Sequence, residues 1–440
     1  MDFAGKLVNE AIKMGFEEAA IIVHAGQSTM VKIANSQPSV IQYWNTKTVN
    51  AYLVKDKKIF GVTVQPKEIE DARKVFEDIV KLAEKVKPSP FYAPLPEPQK
   101  IEKLEGTVDK SILEALKEPS ELTEAIIEAA HREKIDSIAG MIEFSYRERV
   151  LANSKGARLY EDGTSVEAYV RAFAGKGSGQ WSIGSRCLSK NKVEEMAEIA
   201  AHYAVEARNP EEAEAGVYDI ILSPMVAGNL FNCVASMASA FSVIMGMSFF
   251  MKHKPGDKVA SEKFTLIDDA RNPELPGSTA FDDEAQSTYS KPIIENGVLK
   301  TFLHNTKTAM KMKAKTTANA GLIRPHSWAL NIPVGELTLE ELIGEVKKGL
   351  LVTNNWYTRL QNYVEGTFST ITRDAFFLIE NGKIVKPLKK LRIADKFPSL
   401  LQNISELGRK AYDIKWWEVN IATRLPYVLV RNVHTSKHTA

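Results

Sequence analysis

MVAGNLFNCVASMASAFSVIMGMSFF, residues 225 to 250, contains no charged side chain and follows Val217 to Leu222, an apolar run that reads as a strand. The stretch is long enough to cross a bilayer. Asn229, Asn232, Ser236, Ser239, Ser242 and Ser248 interrupt it, however, and the chain has no second candidate span, so a core helix is the expectation. Wound as one helix, Gly228, Asn232, Ala235, Ser239 and Gly246 make a small-residue stripe, with Phe231, Val234, Phe241 and Ile244 broadly opposite. Such a helix packs closely on both sides. The residues after it are mostly strand-like, so a strand-rich unit around a buried central helix is expected over residues 217–440.

Within that unit, Ile294-Glu295-Asn296-Gly297-Val298-Leu299 and Ile379-Glu380-Asn381-Gly382-Lys383-Ile384 each predict a hairpin, because Asn-Gly readily takes the positive φ angles of a type I′ turn. Thr338 with Glu341 starts a helix through Leu342, Ile343 and Val346 that ends at Gly349. Leu400, Ile404 and Leu407 mark a late helix.

Toward the N-terminus, Asp2 is placed to cap a helix whose Phe3, Leu7, Ala11 and Met14 share a face until Gly15 stops it. Five β-rich runs follow, Ala20 to His24, Met30 to Ala34, Val40 to Trp44, Val49 to Val54 and Ile59 to Val64, and then an amphipathic helix over Ile69, Ala72, Phe76, Ile79, Ala83 and Val86. Helix on antiparallel sheet is the expected arrangement. Five prolines between Pro88 and Pro98 forbid a regular element and predict an extended linker, which closes a first domain over residues 1–98. A middle α/β segment, 106–210, holds a helix through Leu122, Ala125, Ile126 and Ala129, a strand from Ser165 to Ala174, and a helix opened by Asn191 and Glu194. The fold class is therefore α+β.

Bulk properties exclude several functions. The 440 residues are 44% hydrophobic and 25% charged with a net charge of +2, so nothing drives the chain globally toward nucleic acid or anionic lipid. Two cysteines, Cys187 and Cys233, make neither a disulfide framework nor a four-cysteine metal site. With an N-terminus unlike a signal peptide, this points to the cytoplasm. Of the histidines only His434 and His438 have helical metal-pair spacing, and they fall in a terminal stretch without helix signals, expected to be a disordered tail. No nucleophile elbow or phosphate loop is present, and the glycines at 175, 177, 179 and 184 do not form a dinucleotide motif. Phe281-Asp282-Asp283-Glu284 could offer oxygen ligands to a hard cation, although a solvated or hydrogen-bonded turn is the better expectation.

The order Thr265-Leu266-Ile267-Asp268-Asp269, Gly277-Ser278, Phe281-Asp282-Asp283-Glu284, Ile294 to Lys300, Lys348 to Thr353, Gly366-Thr367-Phe368-Ser369 and Phe377 to Gly382 resembles the TldD/PmbA family, once called modulators of DNA gyrase. The resemblance covers nearly the whole chain, with Thr367 where the family usually has Asp and Ala285 where it has Gly. Asn354 to Arg359 with Arg373-Asp374 looks like a variant of archaeal members. The family implies a pair of subunits, a TldD-type chain with a His-Glu-x-x-x-His zinc motif and a TldE/PmbA-type chain without it. Alignment through Gly228, Leu230 and Phe231 puts Asn232 and Met237 at the two histidines and Cys233 at the glutamate. Zinc needs strong ligands and a carboxylate to activate water, so the resemblance implies a TldE/PmbA-like subunit with no metal or catalytic residue of its own and zinc in its partner. It also implies an enclosed chamber for an extended peptide, for which Trp356, Tyr357, Arg359, Arg373, His326 and Trp328 are the candidate lining residues. An independent hydrolase using Cys233 or the 282 to 284 acids, and a non-enzymatic protein-binding modulator, stay open as other classes.

Overall fold

The structure, a computed structural model, describes residues 2–438, with the side chain of Asp2 outside the described set; the cap expected of Asp2 lies outside it too. Helix α1 (Asp2–Lys13) ends before Gly15, whose φ of 84° reverses the chain. Strands β1 (Glu18–Ala34), β2 (Gln37–Lys55) and β3 (Lys58–Val64) form an antiparallel meander. Two-residue turns join them, with positive φ at both Asn35 and Ser36 and at both Asp56 and Lys57. The five expected runs are thus three strands. Ala25 to Thr29 reads as a break because it is polar and carries a glycine, yet in β1 its backbone pairs with β2 on one side and with a later strand on the other.

After α2 (Ile69–Ala83), which closes before Val86, the proline-rich stretch crosses without regular structure. Helices α3 (Lys110–Ala115) and α4 (Ser120–Ala130) then lead to strands β4 (Ser137–Asn153), β5 (Arg158–Ala174) and β6 (Gly177–Ser185) and helix α5 (Lys190–Glu206). Ser189, not Asn191, stands at the N-cap of α5. Strand β4 pairs with β1 from Ala20↔Asn153 to Ile33↔Gly140, giving one six-stranded sheet in the order β3-β2-β1-β4-β5-β6. The proline-rich stretch thus divides the chain but not this sheet. We keep the three-part division at 1–98, 106–210 and 217–440 as a proposal about organisation.

Alternation along the strands sorts the two faces of the sheet. Ile21, Val23, Val31, Ile142, Phe144, Val166 and Ala168 point to one side, where α1 and α2 cover one end and α3 to α5 the other. The opposite face is largely polar. At one end of it Leu95 packs on Ala20, Tyr52 and Val54, and Phe281 and Ala285 pack on Ile22 and Leu151. The rest faces the C-terminal part of the chain.

That part holds two sheets. The first runs 298–299, 291–295, 266–268, 330–331, 419–425 and 412–416; in the second, strands 348–362, 217–222, 428–437, 391–396 and 367–380 are paired in succession, and 367–380 pairs back with 348–362, closing a ring. Helix α6 (Pro224–Met237) lies between them, against strands 419–425 and 348–362. Ser223 accepts the Val226 amide to cap it and Pro224 opens its first turn. A buried central helix is present, shorter than expected. The uncharged run leaves it at Ala238, where Ser239 bridges Leu303 and donates from Oγ to the Pro325 carbonyl (2.8 Å). It continues as a short helix, Ala240–Ile244, turns at Gly246 with φ 71°, and ends in a 3-10 turn, Phe249–Lys252. The small-residue stripe is therefore broken at Ser239. Among the described residues, no helix is long and apolar enough to cross a membrane.

Both Asn-Gly hairpins form, with φ of 46° and 78° at Asn296 and Gly297 and 50° and 73° at Asn381 and Gly382. Thr338 and Glu341 make a full capping box, but the helix is Leu339–Gly344 and Gly349 belongs to the next strand, where it packs against the Asp219 carbonyl. The late helix is Phe397–Gln402, and Ile404 and Leu407 fall in a strand paired with 428–437. Of the expected disordered tail, residues 434–437 are the end of strand 428–437, with His434 paired to Val217 and Thr435 to Lys437 paired to 391–393, and residues 439–440 lie outside the described residues. His434 sits 3.1 Å from Asp395 through Nδ1.

Candidate functional site

The polar face of the six-stranded sheet is the floor of a cavity of about 810 Å³ whose roof comes from residues 276–283, 321–328 and 420–422. The floor follows from the register. Across β1, β4 and β5, His24 faces Arg149 and Glu161, Gly26 faces Arg147 and Gly163, and Ser28 faces Ser145 and Ser165. Small residues thus leave a trough between the charged rows.

Arg149 joins floor to roof. Its Nη1 donates to Glu161 (2.9 Å), to Thr279 Oγ1 (2.8 Å) and to the Phe281 carbonyl (2.9 Å), its Nη2 pairs with Asp283, and its guanidinium lies over the Phe281 ring at 4.6 Å. Burial works against its charge, but Asp283 and Glu161 outweigh burial and raise its pKa. Beside it, burial and then the Arg149 charge lower the pKa of His24 and favour its neutral form.

The acidic run that follows is neither solvated nor open. Asp282 is fully buried and accepts the amides of Glu284, Gln286 and Ala320, and burial together with Glu284 raises its pKa. Glu284 is paired with Lys307 at 3.1 Å. This is a hydrogen-bonded turn whose Ala285 takes φ 60°, which explains why a glycine suits that position. Among the described residues, no group of three or more His, Cys, Asp or Glu is placed to hold a metal ion.

Of the six residues nominated from sequence, His326 and Trp328 line this cavity, with rings 4.5 Å apart at 65°. Trp356, Tyr357, Arg359 and Arg373 sit elsewhere, on the hairpin of strands 348–362 and 367–380. Arg373 stacks over Trp356 at 5.0 Å and Arg359 over Tyr357 at 4.0 Å. A bulge between Trp356 and Arg359 places Tyr357 at φ 57° and exposes its ring, while its amide donates to Glu418 Oε1 (3.1 Å). Glu418 belongs to the turn between strands 412–416 and 419–425, and Asn420 to Ala422 just beyond it line the cavity. The nominated residues thus form two groups on either side of that turn. Arg373 also interacts electrostatically with Tyr169 of β5, and burial lowers its pKa.

Sequence reasoning missed Arg147, Arg149 and Glu161. Their signal, polar residues at every second position of β4 and β5, is the same as that of any half-exposed strand.

The three positions aligned with the zinc motif lie on α6 and do not suit the metal. Asn232 donates to Thr423 Oγ1 (2.9 Å) and the Ile421 carbonyl (3.3 Å) and accepts the Ile421 amide (2.8 Å), so its amide is consumed in holding the cavity-lining strand. Burial, with Glu418 adding, pushes the Cys233 thiol up to about 12, far from the thiolate that zinc takes. Met237 is buried in the apolar core. A donor set of one amide, one thiol and one thioether does not fit a catalytic zinc.

The chain is thus a mixed α+β protein in which a closed strand ring and a buried helix stand beside a polar cavity against a long sheet. Residues 215–437 match the PmbA/TldA metallopeptidase C-terminal domain and residues 94–208 the central domain of the same family. The chain belongs to the PmbA/TldD family. It is 28% identical over 289 residues to a metalloprotease of Methanocaldococcus jannaschii, a match that spans 63% of this chain and 63% of that relative, less than two thirds of its length. It is 24% identical over 327 residues to a metalloprotease of Methanothermobacter thermautotrophicus, covering 69% and 70%. Among solved structures it superposes on TldE from Thermococcus kodakarensis with a TM-score of 0.82 at 24% identity, covering 98% of this chain and 99% of that one. A Thermotoga maritima protein described as a candidate modulator of a DNA gyrase gives 0.83 at 24%, covering 99% of both.

Proposed function

We propose that this chain is the non-catalytic, TldE/PmbA-type subunit of a heteromeric zinc peptidase, holding an extended peptide in its cavity while a TldD-type partner supplies zinc and cleaves. The observation that carries the reading is the fate of the motif positions: Asn232 is spent on the backbone of Ile421, Cys233 is held as a thiol and Met237 is core. The family supplies the metallopeptidase context. A polar trough with aromatic and guanidinium groups at its margins suits a peptide of varied sequence, since backbone amides and stacked rings do not demand one side chain. A cytoplasmic location and no role for nucleic acid are part of this proposal.

The test is metal analysis and peptide hydrolysis by the purified chain, alone and mixed with a TldD-type subunit. No stoichiometric zinc, no cleavage alone and chelator-sensitive cleavage on mixing are expected. One tightly held zinc with hydrolysis by the chain alone would make it an independent enzyme, and capture of gyrase without any peptidase-like partner would make it a modulator. Arg359 lies outside the cavity, so in the reconstituted pair Arg359→Ala tests whether the peptide runs on over the hairpin. A raised KM with a smaller change in kcat is expected, as when ground-state and transition-state binding are lost together, and unchanged values would confine the peptide to the cavity. A collapsed kcat at unchanged KM would put Arg359 in the catalytic machinery instead.

A further inference from the structure

The carboxylates that line the cavity are engaged within the chain. Glu161 and Asp283 take Arg149, Glu167 takes Lys415 (3.1 Å), Glu148 accepts the Tyr160 hydroxyl (2.9 Å) and Asp162 the Tyr146 hydroxyl (2.9 Å). Glu143 is hydrogen-bonded to Ser28, and its pKa is raised by burial. Two cations in the same cavity are not engaged in this way. Arg147 and Arg324 line it, and among the described residues neither guanidinium makes a hydrogen bond or ion pair, although the Arg147 charge acts on Glu143 at a distance.

Arg147 also stands where a ligand can reach it. Its ladder neighbours are Gly26 and Gly163, and the next row is Ser28, Ser145 and Ser165, so little side-chain bulk rises beside it on either strand. Over Gly163 lies a second guanidinium: a Cβ there would sit 2.6 Å from Arg186 Nη1. The hydrogen bond that the Arg186 guanidinium donates goes to the Ser278 carbonyl and not to a carboxylate. Glu161 and Asp162 act on Arg186 electrostatically without bonding to it, so a carboxylate placed between Arg186 and Arg147 would gain charge-assisted hydrogen bonds. An independent feature agrees: Ser327, 4% exposed and part of the cavity wall, has a hydroxyl without a hydrogen-bond partner, the kind of buried polar atom that a ligand or an ordered water completes.

We propose that the cavity selects its peptide through a carboxylate, received by Arg147 beside Arg186, with Arg324 drawing acidic segments in. The inference rests on the reading of the cavity as a peptide chamber. Either the C-terminus of the peptide or an acidic side chain supplies the group, and the experiment separates them. Fluorescence anisotropy with the isolated full chain would compare three labelled extended peptides of one sequence: a neutral C-terminal amide, the same peptide with a free C-terminus, and the amide with one Gln replaced by Glu.

At least one carboxylate peptide should bind about tenfold or more tightly than the neutral amide, as a charge-assisted hydrogen bond implies, and the preference should shrink in high salt. Arg147→Gln, which removes no hydrogen bond or ion pair among the described residues, should abolish the preference and leave the affinity for the neutral amide as it was. A free-terminus preference identifies the C-terminus as the source, and a Glu preference identifies a side chain. Equal affinity for all three peptides, or a preference that survives in Arg147→Gln, overturns the carboxylate site while leaving the peptide chamber standing. Binding of none of them overturns both. An intact preference with no cleavage on mixing with a TldD-type subunit would count against the subunit reading alone.

Discussion

Several residues occupy states that their chemistry disfavours, and each makes a measurable prediction. Lys313 ends the helix Thr306–Met312 in the left-handed region, φ 54° and ψ 40°, with its side chain exposed. A left-handed L-residue costs roughly 1 to 2 kcal/mol, partly offset for glycine by unfolded-chain entropy. Lys313→Gly should therefore stabilise by about 0.5 to 1 kcal/mol, read as a raised thermal midpoint. His304 is 3% exposed, and burial lowers its pKa from 6.5 to about 4. The unfolded chain binds this proton between those values and the folded chain does not, so folding stability falls as pH drops through that window. The loss between pH 7 and pH 5 should be about 2 kcal/mol from this group. Denaturant titrations of His304→Gln at the two pH values should show that much less acid sensitivity; an unchanged difference would mean that other groups set it.

At the scale of elements, α6 is tied to its neighbours by its asparagines. Asn232 and Asn229 on it reach across to the strand and turn of residues 418–423, and Asn229 also accepts from Asn355 and Thr358. Removing the Asn232 side chain leaves the Ile421 amide without this acceptor, while Thr423 Oγ1 still donates to the Ile421 carbonyl (2.8 Å), so Asn232→Ala should cost about 1 to 3 kcal/mol. In a variant that remains folded and paired, cleavage by the complex should persist, whereas loss of all turnover would return chemistry to this position. The Asn-Gly hairpins and the Thr338 capping box were legible because a turn or a cap is decided by neighbours in sequence. The extent of β1 and the break at Ser239 were not legible. One depends on strands pairing to both sides of a polar stretch, the other on a carbonyl of Pro325 far along the chain.

At the scale of the molecule, the contact between sheet and C-terminal part turns on Arg149. Its partners Glu161 and Asp283 are largely buried, so neutralising the arginine strands two carboxylates. Arg149→Met should cost roughly 3 to 5 kcal/mol, seen as a lower urea midpoint, and a double variant that also carries Glu161→Gln should recover part of it. The sequence alone determined the α+β class, the helix-on-sheet character of the start, the hairpin turns and the absence of His and Glu from residues 225–250, because composition and local φ preference are properties of residue types. It also pointed to the family. Tertiary structure alone decided that the strands of 18–64 and 137–185 share one sheet, that His326 and Trp328 stand apart from Trp356, Tyr357, Arg359 and Arg373, and that Arg147 has no bonded anion among the described residues. Each of these is set by pairing between residues distant in sequence, and strand alternation names two faces without saying what will cover either.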